Sequence, residues 1–265
     1  MNQVLLVGCG NLGKAFLKAW AQNNEIKKIH VIQPSLSAQS LFAEYPQITF
    51  YAQAELLPID LKPDALIIAF KPGQFVSAIT AFSRFFSNTL LISLLAGTST
   101  KALQEQTGTG SQWIRIMPNV AAQVKQSASL AFAPHTLSAT YQQSIDTLFG
   151  ATGKLFQMPS EQLFDFMTAI SGCGPAYFFL MAEIMTNAAI QLGLEKTLAT
   201  HLVQQTLLGS ACLATPESSF EKLRDSVTSK GGMTQAALSI LEPDLEKSLE
   251  KAIWAALNRQ KELSA

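Results

Sequence analysis

The sequence predicts two domains of different class. Residues 1–158 read as a doubly wound α/β domain with a mostly parallel sheet, and residues 159–265 as an all-α domain. Three observations predict this. Short apolar runs alternate with amphipathic stretches through the first part, the pattern of a parallel sheet with helices on its faces. No β-rich run follows residue 155 or so. The segments beyond it carry helical periodicity, punctuated by Pro216 and the Gly231–Gly232 pair.

The elements follow in order. VLLVG (4–8) is a strand and residues 12–23 a helix. KIHVIQ (28–33), ITFY (48–51), ALIIAF (65–70), LLISLL (90–95) and WIRIMP (113–118) are further strands, with SLAFAP (129–134) a candidate seventh. Helices are expected at 162–171, 175–192, 196–213, 234–241 and 244–262. PAYFFLMAEIM (175–185) is apolar nearly all round, so every side of it needs cover. About a hundred residues of helix could provide that cover alone, and two copies packed together would provide it better, so a dimerisation domain is expected.

Composition narrows the partners. Lys and Arg total 19, as do Asp and Glu, so no basic excess favours a nucleic acid or an anionic membrane. A small molecule or another copy of the chain fits better. Cys9, Cys173 and Cys212 form no CxxC spacing and leave an odd count, which points to a reducing compartment. His30, His135 and His201 pair with no Cys or carboxylate at metal-ligand spacing, so no metal is expected. No basic leader precedes the first glycine turn, and no apolar run approaches membrane-spanning length; the expectation is a soluble, cytoplasmic protein.

GCGNLG (8–13) is a GxGxxG motif directly after a strand and opening a helix. Gly8 allows the tight turn, Gly10 lets the backbone approach a pyrophosphate, and Gly13 lets helix and strand pack closely. Asn11 and Leu12 then offer helix N-terminal amides to the phosphates. The alternative is a purely structural glycine turn. The second strand ends Ile32-Gln33-Pro34-Ser35, without the carboxylate that usually bonds an NAD ribose. That favours NADPH over NADH, with Ser35 and Ser37 holding the 2′-phosphate; the other reading is a loop that does not discriminate.

Ligands of an open parallel sheet lie beyond the carboxyl ends of its strands. Three such ends stand out: Ala69-Phe70-Lys71-Pro72, with Lys71 near the nicotinamide ribose; SLLAG, whose Ala96 and Gly97 permit close approach of a flat ring; and RIMPN, whose Asn119 reaches for a carboxamide or substrate. Each alone reads as an ordinary loop, and the three together as a cofactor cleft. Near the C-terminus, TSKGGMT (228–234) reads either as an anion-binding nest ahead of a helix or as an N-capped helix after a tight turn.

With these motifs in order, GCGNLG, AFKPGQ (69–74), SLLAG (93–97), RIMPN (115–119), GCGPAY (172–177) and LRDSVTSKGGMT (223–234), the chain resembles the pyrroline-5-carboxylate reductase family from end to end. The last two motifs are the family-specific ones. The resemblance implies a Rossmann domain and a helical domain that interleaves with a partner's to form a dimer, with five dimers commonly forming a decamer. It implies NAD(P)H-dependent reduction of a cyclic imine to L-proline. On this reading Ser229, Gly231, Gly232 and Thr234 hold the substrate carboxylate, and Thr234 stands near the imine nitrogen. Glu217 attracts the iminium charge or an ordered water, or is simply a solvated loop carboxylate.

The chain departs from the family pattern at Cys173 (commonly Ser), Lys230 (commonly Pro), Met233 (commonly Thr) and VKQSAS (124–129), where glycines are usual. Hydroxyacid dehydrogenases of similar layout use a helix lysine as acid/base, but no lysine lies between Lys154 and Lys196. A silent NADP-binding sensor would have no need of the TSKGGMT segment.

Overall fold

The computed structural model describes residues 1–35 and 38–264. Ser37, expected at the 2′-phosphate, lies outside them. Among the described residues the strands are β1 (Gln3–Val7), β2 (Lys28–Ile32), β3 (Ile48–Tyr51), β4 (Ala65–Ile68), β5 (Leu90–Ser93), β6 (Trp113–Met117), β7 (Ser127–Phe132) and β8 (Gly153–Gln157). The helices are α1 (Asn11–Ala21), α2 (Phe75–Ala78), α3 (Thr100–Thr107), α4 (Ala139–Gly150), α5 (Glu161–Ser171), α6 (Gly174–Gln191), α7 (Lys196–Leu213), α8 (Phe220–Ser226) and α9 (Met233–Ser264).

Contacts divide the chain into two units, Met1–Cys173 with Leu257–Ala265, and Gly174–Ala256. By packing, α5 and the last turns of α9 therefore go with the sheet, although their sequence is that of the helical region.

In the first unit the strands run in the order β3-β2-β1-β4-β5-β6-β7-β8. Every neighbouring pair is parallel except β6–β7. Side chains alternate between the two faces of the sheet, as the pleat requires. Val4, Leu6, Ile29, Val31, Ile67 and Ile92 meet α1 and α4 on one face. Leu5, Val7, Leu66, Ile68 and Leu91 meet the 75–85 segment and α3 on the other. This is the doubly wound Rossmann arrangement that the run pattern predicts. β8 was not among the expected strands. GKLFQ has only part-buried and exposed positions at the sheet edge, so its sequence lacks an apolar run.

His30 sits within this sheet and is mostly buried. Its Nε2 donates to Gln3 Oε1 at 3.1 Å, which leaves Nδ1 to accept from the Tyr51 hydroxyl at 3.0 Å. Burial, and then the Lys28 charge, hold its pKa below the ordinary 6.5. Below about pH 6.5 the unfolded chain takes up a proton that the folded imidazole resists, so stability falls with falling pH until the folded pKa is passed. Melting temperatures measured from pH 7 to pH 5 should therefore fall less steeply for His30→Gln than for the wild type.

The second unit is helical. α9 runs unbroken through Pro243, where two helices, 234–241 and 244–262, are expected from sequence. α8, in the polar stretch FEKLRDS, was not expected either. Phe178, Phe179, Leu180 and Ile184 of α6 are all more than half exposed in the single chain. The expectation that no apolar run nears spanning length needs correction. Glu161–Gln191, 31 residues, holds an 18-residue stretch of mean hydropathy 1.3 and is long and apolar enough by length and composition. The run was hidden because the Gly172–Gly174 turn splits it into two helices.

Candidate active site

The topological switch point lies between β1 and β4, because the chain proceeds outward to β2 and β3 and then returns to β4 on the other side of β1. The crevice at the carboxyl ends of these strands is where open α/β sheets hold dinucleotides. Gly8 stands there with φ +99°, and a Cβ on it would lie 2.7 Å from the carbonyl carbon of Ala69. A Cβ on Gly13 would lie 2.7 Å from the Gly8 oxygen, so strand and helix pack directly. Gly10 differs from both: a Cβ there would meet nothing within 4 Å. α1 begins at Asn11 with no side-chain cap. The amides of Asn11, Leu12 and Gly13 are thus the donors that a helix start leaves without an intrahelical acceptor. An open approach over Gly10 towards uncapped amides fits a pyrophosphate.

Ser35 follows β2, and its Oγ accepts from Gln33 Nε2 at 3.1 Å. Gln33 Oε1 accepts the Cys9 amide at 2.7 Å. One carboxamide therefore joins the glycine turn to the loop after β2. Ala69 donates its N–H to Val7 O at 2.7 Å, which brings the Ala69-Phe70 backbone beside the glycine turn. Lys71 and Pro72 follow, both exposed, as the chain enters a short 3-10 turn. Ala96 and Gly97 lie just past β5, with Gly97 at φ +70°.

Asn119 lies two residues past β6, and both ends of its amide are engaged within the chain. Oδ1 accepts from Ala121 N at 3.0 Å, and Nδ2 donates to Ser171 O at 2.9 Å. It holds the turn that ends α5. A cavity of about 340 Å³ opens there, lined by Asn11, Leu12, Pro118, Asn119, Gly172 and Cys173 among others. A larger cavity of about 930 Å³ lies around Asn2, Lys27, Asp64 and Thr89, at the amino ends of the strands. That is the wrong end of a parallel sheet for a cofactor. The Cys9 thiol is pushed up to about 11 by burial, against the pull of Lys14, and stays protonated.

In the helical unit, Ser229, Gly231 and Gly232 form the turn ahead of α9, and Thr234 is the second residue of that helix. Gly231 has φ +74°. The Gly232 amide donates to Ser229 O at 2.9 Å, closing the turn. The Gly231 amide donates to Gln235 Oε1 at 2.6 Å. The first helical bond of α9 runs from Ala236 N to Gly232 O, so the amides free of helix partners are those of Met233, Thr234 and Gln235 in its first turn. Glu217 is exposed in the connection between α7 and α8, one helix before this turn. Arg224 of α8 pairs with Glu242 of α9 at 3.3 Å, across the two helices that flank the turn.

A family model for pyrroline-5-carboxylate reductase dimerisation matches residues 161–263, and one for an oxidoreductase family with an NAD-binding Rossmann fold matches residues 2–90. The chain is 33% identical to the pyrroline-5-carboxylate reductase of Haemophilus influenzae over 98% of its own length and 97% of the relative's. The chain belongs to the pyrroline-5-carboxylate reductase family. Two solved members of the family have the same fold. The pyrroline-5-carboxylate reductase of Coxiella burnetii is 32% identical with a TM-score of 0.89, covering 99% of this chain and 98% of its own. The Plasmodium falciparum pyrroline carboxylate reductase, solved with NADP bound, is 26% identical with a TM-score of 0.86 and the same coverage.

As a pyrroline-5-carboxylate reductase family member, the chain is an NAD(P)H-dependent oxidoreductase that forms oligomers through the helical region, and the exposed apolar face of α6 lies in that region. Of its departures from the family pattern, Lys230 and Met233 are exposed, and Cys173 lines the 340 Å³ cavity half-buried. Sequence reading did not single out Gln33, Gln235 or Glu161. The signal that would have pointed to Glu161 is Arg115, a charge inside an apolar strand that needs a partner, and it was not read.

Proposed function

We propose that the protein reduces 1-pyrroline-5-carboxylate to L-proline, the last step of proline biosynthesis, with NADPH preferred to NADH. Family membership over the whole chain carries the reaction. Residues 1–158 serve the cofactor and residues 159–265 serve dimerisation and substrate. The uncapped start of α1 and the open space over Gly10 receive the cofactor phosphates. Bound there, the cofactor supplies the hydride. Ala69 to Pro72, Ala96 and Gly97 line the path to its nicotinamide end, and Asn119 braces the adjoining wall.

Ser229, Thr234 and the first-turn amides of α9 hold the substrate carboxylate, with Gly231 and Gly232 setting the turn. A protonated cyclic imine is already a good hydride acceptor, so position matters more than a strong general acid. Thr234 supports the imine nitrogen, and Glu217 is a secondary candidate for favouring the iminium charge. The neutral carboxamide of Gln33, in place of a carboxylate beside Ser35, supports NADPH. So does the relative solved with NADP bound. The assembly we propose is a homodimer that builds a decamer of five dimers. The free thiols of Cys9, Cys173 and Cys212 suit the cytoplasm.

The test is oxidation of NADPH and of NADH by purified protein, with and without pyrroline-5-carboxylate. Turnover with a higher kcat/KM for NADPH is expected. Thr234→Ala should lower kcat/KM for the imine by about 10- to 100-fold, the worth of a hydrogen bond to a charged group. Tight binding of both cofactors without oxidation of either would overturn the reaction.

A further inference from the structure

Neither amide of the glycine pair in the proposed substrate turn is open. That of Gly232 closes the turn on Ser229 O, and that of Gly231 is held at 2.6 Å by the side-chain oxygen of Gln235. Gln235 stands four residues on, in the first turn of α9, with its side chain exposed. A carboxamide oxygen has the shape and acceptor character of one carboxylate oxygen without its charge.

We infer that Gln235 is a built-in competitor for the substrate carboxylate and so a determinant of substrate affinity. In the free turn its Oε1 occupies the Gly231 donor, and the substrate takes that donor by displacing it. This rests on reading TSKGGMT as the carboxylate site. The exchange runs downhill. The incoming acceptor is charged and makes the stronger bond. The released carboxamide is at the surface and passes to water. The left-handed backbone at Gly231 is kept in both states, so displacement requires only side-chain rotation. The competition lowers affinity for the carboxylate and leaves the hydride step alone.

The experiment is steady-state kinetics of the full-length protein with pyrroline-5-carboxylate at saturating NADPH. Gln235→Leu removes the competitor and should lower KM by about 2- to 10-fold, the range of an ordinary neutral hydrogen bond. Gln235→Glu puts a charged acceptor on the same donor and repels the substrate, so KM should rise by more than about tenfold. In both variants the effect falls on KM and not on kcat. A merely structural cap would instead raise KM in both. If Gln235→Leu raises KM or leaves it unmoved while Ser229→Ala raises it, the turn holds the substrate and the competition is wrong. If Ser229→Ala and Thr234→Ala also leave KM unmoved, the carboxylate site lies elsewhere and both readings fall.

Discussion

Gly8→Ala should cost the protein its fold, whereas Gly10→Ala should keep the fold and lose the cofactor. The two glycines are separated by one residue and do different things. Gly8 has φ +99°, and a Cβ would lie 2.7 Å from both the carbon and the oxygen of the Ala69 carbonyl. Those are backbone atoms of the neighbouring strand end, pinned by the Ala69-to-Val7 hydrogen bond, and they have no rotamer by which to move aside. Backbone strain of about 1–3 kcal/mol adds to overpacking of about 1–3 kcal/mol. That sum is a large part of a typical domain's stability of about 5–15 kcal/mol. At Gly10 φ is −72° and the added methyl meets no protein atom. It does fill the approach to the α1 amides. Thermal melts and NADPH titrations of the two variants should separate cleanly. Gly8→Ala should be insoluble or melt far lower, and Gly10→Ala should melt near the wild type with cofactor affinity reduced at least about tenfold. Normal cofactor affinity in Gly10→Ala would place the pyrophosphate elsewhere.

This contrast also shows what sequence makes legible. Backbone requirements are local, so GCGNLG announces its own geometry, and the short continuous apolar runs VLLV and ALII announce strands buried on both faces of a parallel sheet. The roles of Gln33 and Asn119 are not local. Gln33 meets an amide 24 residues away, and Asn119 meets a carbonyl 52 residues away. Nothing in either stretch of sequence states that the other end will arrive. The reach of Asn119 towards a carboxamide was inferred from its place at a strand end; the structure shows that amide engaged with Ala121 and Ser171. Pro243 misled for a different reason. A proline removes one hydrogen bond and usually breaks a helix. Here α9 carries enough residues on either side to continue through it. GKLFQ failed as a strand signal because an edge strand has few buried positions to mark with apolar residues.

Arg115→Met should destabilise the protein by up to about 3–5 kcal/mol, the upper end being the cost of a fully buried charge left without its partner, since the two carboxylates left behind are part-buried. Arg115 lies in β6 and is 1% exposed. Its Nη1 bonds Glu161 Oε1 at 2.8 Å, and its Nη2 lies 2.9 Å from Asp165 Oδ1. The guanidinium stands 4.4 Å over the Phe164 ring. The two carboxylates are four apart on α5 and so share a helix face. Each has a further tie. Glu161 accepts the Thr100 amide at 2.7 Å, and Asp165 accepts Gln260 Nε2 at 2.8 Å. One arginine thus gathers β6, the start of α3, the helix α5 and the last turns of α9. Without it, two negative charges face each other and an apolar side chain, with only neutral donors left. For a chain of this length the loss corresponds to a fall in Tm on the order of 10 °C. Adding Glu161→Gln and Asp165→Asn to Arg115→Met should recover part of that fall, because the uncompensated charge goes with them. A repulsion-free explanation, in which Arg115 contributes only packing through its stem and Phe164, predicts no recovery. Melting the single and triple variants side by side decides between the two.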